Sequence, residues 1–173
     1  MQDRTELAVA ENAGTPCVYN ARCLLSCAAA CGELGLDAEA RRLEDAAAAL
    51  GFEGYGLVLD PLRARLALAR GDLEALAGLV DGSQKWPWFI WNHVFGAATR
   101  LEALVAVGHL DQAEEDATRL LQPETFLEPF ALRTLGFARK DEGLLARAVE
   151  RFEALGLLWD ASRTWAVSGV PLS

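Results

Sequence analysis

Cys23, Cys27 and Cys31 recur every four residues, which places their sulfurs on one stripe of a helix. Thiolates grouped in this way serve as ligands for a soft metal or as redox partners. A zinc centre, however, needs four donors around a tetrahedron, and a straight helical stripe does not wrap one ion. Cys17 falls on another face of the same helix. The stripe therefore reads first as small apolar packing groups, with metal binding or redox sensing as the second reading. No metal or other cofactor is expected.

The stretch Trp86 to Phe95 is the richest in aromatic rings. On a helix, Trp88, Trp91 and Phe95 share a face, and Phe89 and His93 form the stripe beside it. Large rings there either fill the space between packed elements or form a docking surface, because tryptophan and tyrosine dominate contact energies where a partner binds. Both readings stay open, and these three are candidate binding residues. Arg22, Arg65, Arg133 and Lys140 join them. If the first helix of each hairpin lines a groove, these four cations face it together with one acid, Glu102, and make it less acidic than the rest of the surface. Such a groove attracts an anionic ligand or an acidic peptide.

Enzyme chemistry finds no complete set of residues. His93 and His109 have no acidic or cysteine companion at ligand spacing, so neither makes a convincing metal ligand or base. Gly51-Phe52-Glu53-Gly54-Tyr55-Gly56 is glycine-rich, but no strand precedes it and no lysine with serine or threonine follows, as a phosphate-cradling loop requires. Asp111, Glu114, Glu115 and Asp116 fall in the first turns of a predicted helix, where they suit the positive end of its dipole. No catalytic residue is assigned, and the chain is not expected to be an enzyme.

Charge and hydropathy narrow the partners. The 16 lysines and arginines against 25 acids give a net charge of −9, the wrong sign for neutralising phosphates. Nucleic acid is not an expected partner. No segment approaches the roughly 18 consecutive apolar residues of a membrane span, and Met1 to Glu6 lacks the positive start and apolar core of a secretory signal. No membrane partner is expected, and unpaired thiols fit a cytoplasmic location.

These residues need elements to hold them, and the composition points to helices. Alanine and leucine dominate while isoleucine occurs once, at Ile90. Unbranched side chains lose little rotamer freedom in a helix. The fold class is therefore all-α. Gly35, Gly71, Gly108 and Gly143 recur at intervals of 36, 37 and 35 residues, and Ala40, Leu76, Ala113 and Ala148 follow each of them by five. Recurrence at such a period marks tandem helix-turn-helix units. Glycine permits the turn, and the small or apolar residue beyond it sits where helices cross.

The units run over about 16–52, 53–86, 87–122 and 123–156, flanked by a partial repeat at 1–15 and a partial helix at 157–173, all within one domain, 1–173. Thr15 and Pro16 are expected to cap the first long helix, to about Leu34. Ala40, Leu43, Ala47 and Leu50 form the stripe of a helix over 37–50. Asp60-Pro61 reads either as a capped helix start after a loop at Gly54 and Gly56, or as a kink inside a longer helix beginning near Glu53, the reading favoured here. Asp72 caps a short helix ending at Leu79, and Asp111–Leu121 forms another. Pro123-Glu124 opens a helix carrying Phe126, Phe130 and Phe137 on one face. Helices ending near Leu155 and over 158–167 follow. Glu6 to Glu11 reads as the tail of a helix whose start is missing, as in a fragment.

The small residue after the glycine, Phe152 four beyond Ala148, and the prolines between units resemble the tetratricopeptide repeat. Ala148 to Leu157, followed by Trp159-Asp160-Ala161-Ser162-Arg163-Thr164, is similar to the closing repeat of arrays found C-terminal in bacterial multidomain signalling ATPases, adenylate cyclases and maltose-activator-like regulators. The resemblance implies a right-handed α-solenoid. It implies a non-catalytic interaction or regulatory module whose partner is a protein or peptide, including a linked ATPase or cyclase domain. The alternative it implies is a repeat domain that senses a small molecule in its concave groove.

Overall fold

The computed structural model describes residues 7, 10, 15–82 and 93–168. Among them every regular element is a helix. The chain divides into two compact units, Met1–Phe89 and Ile90–Ser173. The expected helix tail at 6–11 lies, apart from Leu7 and Ala10, outside the described residues.

Unit 1 holds α1 (Val18–Glu33), α2 (Asp37–Ala48), α3 (Gly56–Arg70) and α4 (Leu73–Gly82). Helix α1 packs against both α2 and α3, and α3 pairs with α4. Leu24, Leu25, Ala28, Cys31, Ala40, Leu43, Leu59 and Leu66 form the buried centre. Small residues let α1 and α3 approach closely: a Cβ on Gly32 would lie 3.1 Å from that of Ala69. The expected stripe of α2 is present, with Ala40, Leu43 and Ala47 buried and Leu50 packed at the edge of the core.

Unit 2 holds α5 (His93–Ala106), α6 (Leu110–Leu120), α7 (Glu128–Arg139), α8 (Glu142–Ala154) and α9 (Leu158–Ser168). Helix α7 touches α5, α6 and α8, and α9 packs on α8. Its core is built from Leu101, Ala117, Phe130, Leu132, Leu135, Ala148 and Phe152.

One turn geometry closes α1, α3, α5, α7 and α8. A residue with positive φ follows each helix: Gly35 (71°), Gly71 (67°), Gly108 (81°), Lys140 (54°) and Gly156 (73°). The next residue's N–H reaches back to the helix in every case, Leu36 to Cys31, Asp72 to Ala67, His109 to Leu104, Asp141 to Gly136 and Leu157 to Phe152, at 2.8–2.9 Å. This satisfies carbonyls the helix end leaves open. The residue five beyond each turn, Ala40, Leu76, Ala113, Leu145 or Ala161, is buried.

Several boundaries differ from the sequence reading. The fourth turn is at Lys140, and Gly143 lies inside α8. Asp141 caps α8 by accepting the Leu144 N–H at 3.1 Å, so the helix starts before the glycine. Cys17, not Thr15, is the residue preceding α1, and its side chain makes no cap bond. Helix α3 begins at Gly56, with Pro61 inside it. Phe126 precedes α7, which starts at Glu128. The Asp72 cap is present, taking the Ala75 N–H at 3.0 Å.

Candidate functional site

In unit 1 the four helices and the α2–α3 connection enclose a cleft of about 350 Å³. Leu25, Leu59, Leu66 and Phe52 supply apolar walls, and Arg63 and Arg70 supply charge. Arg63 pairs with Asp60 one turn earlier, Nη1 to Oδ1 at 2.8 Å. Arg70, at the end of α3, donates from Nη1 to Glu44 Oε2 of α2 at 2.6 Å. That contact joins residues 26 apart and gives no local sequence signal.

Arg22 and Arg65, the cations assigned to a groove, are both in unit 1. Arg22 stands 6.0 Å from the Tyr19 ring centroid, a cation–π distance. Arg65 Nε lies 3.1 Å from Glu33 Oε1 and so ties α3 to α1. Both are partly buried.

The cysteine stripe lies in the same unit. Cys31 is buried, Cys17, Cys23 and Cys27 are partly so, and none of the four is in a disulfide. Burial, then the neighbouring Cys23, pushes the Cys27 thiol up. Burial, then the Glu39 carboxylate, does the same to Cys31. Raised thiols are poor nucleophiles and poor metal ligands at neutral pH. Among the described residues no group of three histidines, cysteines or acids could hold a metal ion.

In unit 2, Phe95 and Arg133 belong to one connected network. Phe95, largely exposed, sets its ring edge-on to Phe126 at 5.5 Å. Phe126 follows on to Phe130 at 5.4 Å, and Phe130 meets Phe152 at 4.9 Å. Arg133 is 5% exposed, so it lies inside the unit instead of facing an open groove. Its guanidinium carbon sits 5.3 Å from the Phe130 centroid and 4.9 Å from that of Phe152. Nη2 donates to Glu102 of α5, and Nη1 lies 3.5 Å from Asp160 of α9. Two carboxylates and two ring faces thus hold one buried cation. Lys140 is exposed at the end of α7. Trp88 and Trp91 lie outside the described residues.

The acids read as caps have other partners. Asp116 is buried and accepts from Arg100 Nε at 3.0 Å, Glu114 accepts from Arg139 Nε at 2.9 Å, and Glu115 accepts from Arg119. Only Asp111 stands in the first turn of α6. Glu128, also buried, takes the Glu124 N–H and Arg151 Nε, each at 2.8 Å. No described helix is long and apolar enough to cross a membrane. Comparison with protein-family models, with curated proteins and with solved structures gives no match.

Proposed function

We propose that the chain is a non-catalytic helical-repeat module of the tetratricopeptide-like kind, acting in protein interaction or regulation within a larger signalling assembly. The observation that carries this reading is the turn shared by five helix ends, with a buried residue five positions beyond each. Repetition of one local solution is how stacked units bury a continuous core while presenting surface along their length. The candidate docking residues are Trp88, Trp91 and Phe95, of which Phe95 is 68% exposed.

Affinity capture from the native host, using the parent chain and the Trp88→Ala, Trp91→Ala and Phe95→Ala variants, tests it. The reading requires a partner recovered by the parent and lost from at least one variant. Recovery no better than with an unrelated acidic helical protein removes it.

A small-molecule-sensing role is the second reading, favoured by the cleft in unit 1. A ligand that binds only the folded chain raises its apparent stability by mass action. A thermal-shift screen across sugars, nucleotides, peptides and small acids, amides and amines therefore decides it.

A further inference from the structure

The guanidinium of Arg70 is used on one side only. Nη1 donates to Glu44. Nε and Nη2, the two nitrogens of the other edge, are shielded from solvent and have no hydrogen-bond partner. That edge is a fork of two parallel N–H bonds, the spacing that matches both oxygens of a carboxylate. Leaving charged donors buried without acceptors costs more than an ordinary hydrogen bond contributes, and because Arg70 lines the cleft, a turn of its guanidinium would let an acceptor bound there satisfy the fork.

The other charged groups lining the cleft are accounted for. Glu44 is held by Arg70 itself, and Arg63 is neutralised by Asp60. One oxygen of Asp72 is taken up as the cap of α4, and both Asp72 and Glu53 are solvent-exposed, where their repulsion of an incoming anion is screened. The walls provided by Leu25, Phe52, Leu59 and Leu66 are apolar. A volume of about 350 Å³ falls in the range of about 300–1,000 Å³ usual for small-molecule sites.

We propose that this cleft binds a small apolar carboxylic acid. Its carboxylate pairs side-on with Nε and Nη2 of Arg70, and its hydrocarbon body lies against Leu25, Phe52, Leu59 and Leu66. The proposal rests on the sensing reading and names the ligand class. Because the fork is shielded in the free chain, binding turns the guanidinium toward the cleft, a rotamer change of the kind common on complex formation.

The test is calorimetric titration of the full chain with phenylacetate, indole-3-acetate and 4-methylpentanoate, each beside its primary amide. At least one acid is expected to bind saturably, and its amide at least tenfold more weakly. Arg70→Lys keeps the charge and removes the fork, so it is expected to weaken that acid at least tenfold. Ala75→Trp changes an exposed residue of α4 that lines the cleft, leaves Arg70 untouched, and is expected to abolish binding by filling the space. Should Arg70→Lys fail to fold, the acid-to-amide ratio on the parent chain decides alone. Binding of no acid, equal binding of acid and amide, or full binding by a folded Arg70→Lys overturns the proposal. Amides or amines that bind where acids do not would overturn it while leaving the sensing reading in place.

Discussion

The guanidinium carbon of Arg133 lies over the Phe152 ring, 4.9 Å from its centroid, with both residues buried. The ring replaces part of the water the cation gives up, and Glu102 and Asp160 balance its charge. Since these partners come from α5, α8 and α9, one side chain of α7 cross-links four helices of unit 2.

Removing that cation takes the Arg133 charge away from two carboxylates, Glu102 and Asp160, that are themselves largely buried. Arg133→Met is therefore expected to lower the unfolding free energy by about 3–5 kcal/mol, the usual cost of breaking a buried pair from one side. Adding Glu102→Met recovers part of the loss, because it removes a buried carboxylate that has lost its Arg133 partner and supplies apolar volume. Urea titration of the parent, single and double variants checks this. A single variant within 1 kcal/mol of the parent would show that the site collapses or hydrates at little cost.

The shared turn predicts opposite signs at two equivalent positions. At Gly108, φ is 81°, and alanine there meets the left-handed penalty of about 1–2 kcal/mol, so Gly108→Ala destabilises. Lys140 already bears that penalty at φ 54°. Lys140→Gly relieves it against a gain in unfolded-chain entropy of about 0.5–1 kcal/mol, for a net stabilisation of about 0.5 kcal/mol. Thermal melts of the two variants should move apart from the parent in opposite directions.

What could be read in the sequence follows from which interactions are local. Gly35, Gly71 and Gly108 were legible because only glycine takes positive φ freely. Lys140 hid the fourth turn because it adopts the same conformation without the marker, and Gly143 three residues on supplied a false one. The stripe of α2 was legible because Ala40, Leu43 and Ala47 follow helical spacing. Asp116 and Glu114 were misread because the local explanation, a helix dipole, needs no partner, whereas Arg100 and Arg139 lie 16 and 25 residues away. The same distance problem applies to Arg133: a cation on a helix face reads as exposed until Glu102 and Asp160 arrive from elsewhere. The cleft around Arg70 depends on four helices and one connection meeting, for which no single segment carries a pattern.

Close helix contacts give a second contrasting pair. A Cβ on Gly136 of α7 would lie 2.6 Å from Leu145 Cδ2, 2.7 Å from its Cγ and 3.2 Å from the Asp141 carbonyl oxygen. Gly136→Ala should cost about 1–3 kcal/mol through overpacking. Gly78 of α4 has nothing within 4 Å of that position, and Gly78→Ala should instead gain up to about 1 kcal/mol from helix propensity. Chemical denaturation separates them, and a stabilised Gly136→Ala would mean that α7 and α8 have room to part.

The cysteine stripe gives a pH prediction with a definite sign. Cys27 and Cys31 both have raised thiol pKa values, Cys27 through burial and then Cys23, Cys31 through burial and then Glu39. Unfolding frees each thiol to ionise at its ordinary value, so above that value the unfolded state binds fewer protons than the folded one. Stability is then fully present below the ordinary thiol range and declines as pH rises through it toward the folded values. Urea midpoints measured at pH 7 and pH 9.5 should fall, and Cys27→Ala with Cys31→Ala should flatten the fall relative to the parent. Because the thiolate is the reactive form, iodoacetamide at pH 7.5 should label Cys31 only as fast as the chain opens, and Cys27 more slowly than a free thiol. Labelling of both at the rate of an unstructured peptide thiol would mean that neither is held in an apolar setting, and the packing role of the stripe would fall with it.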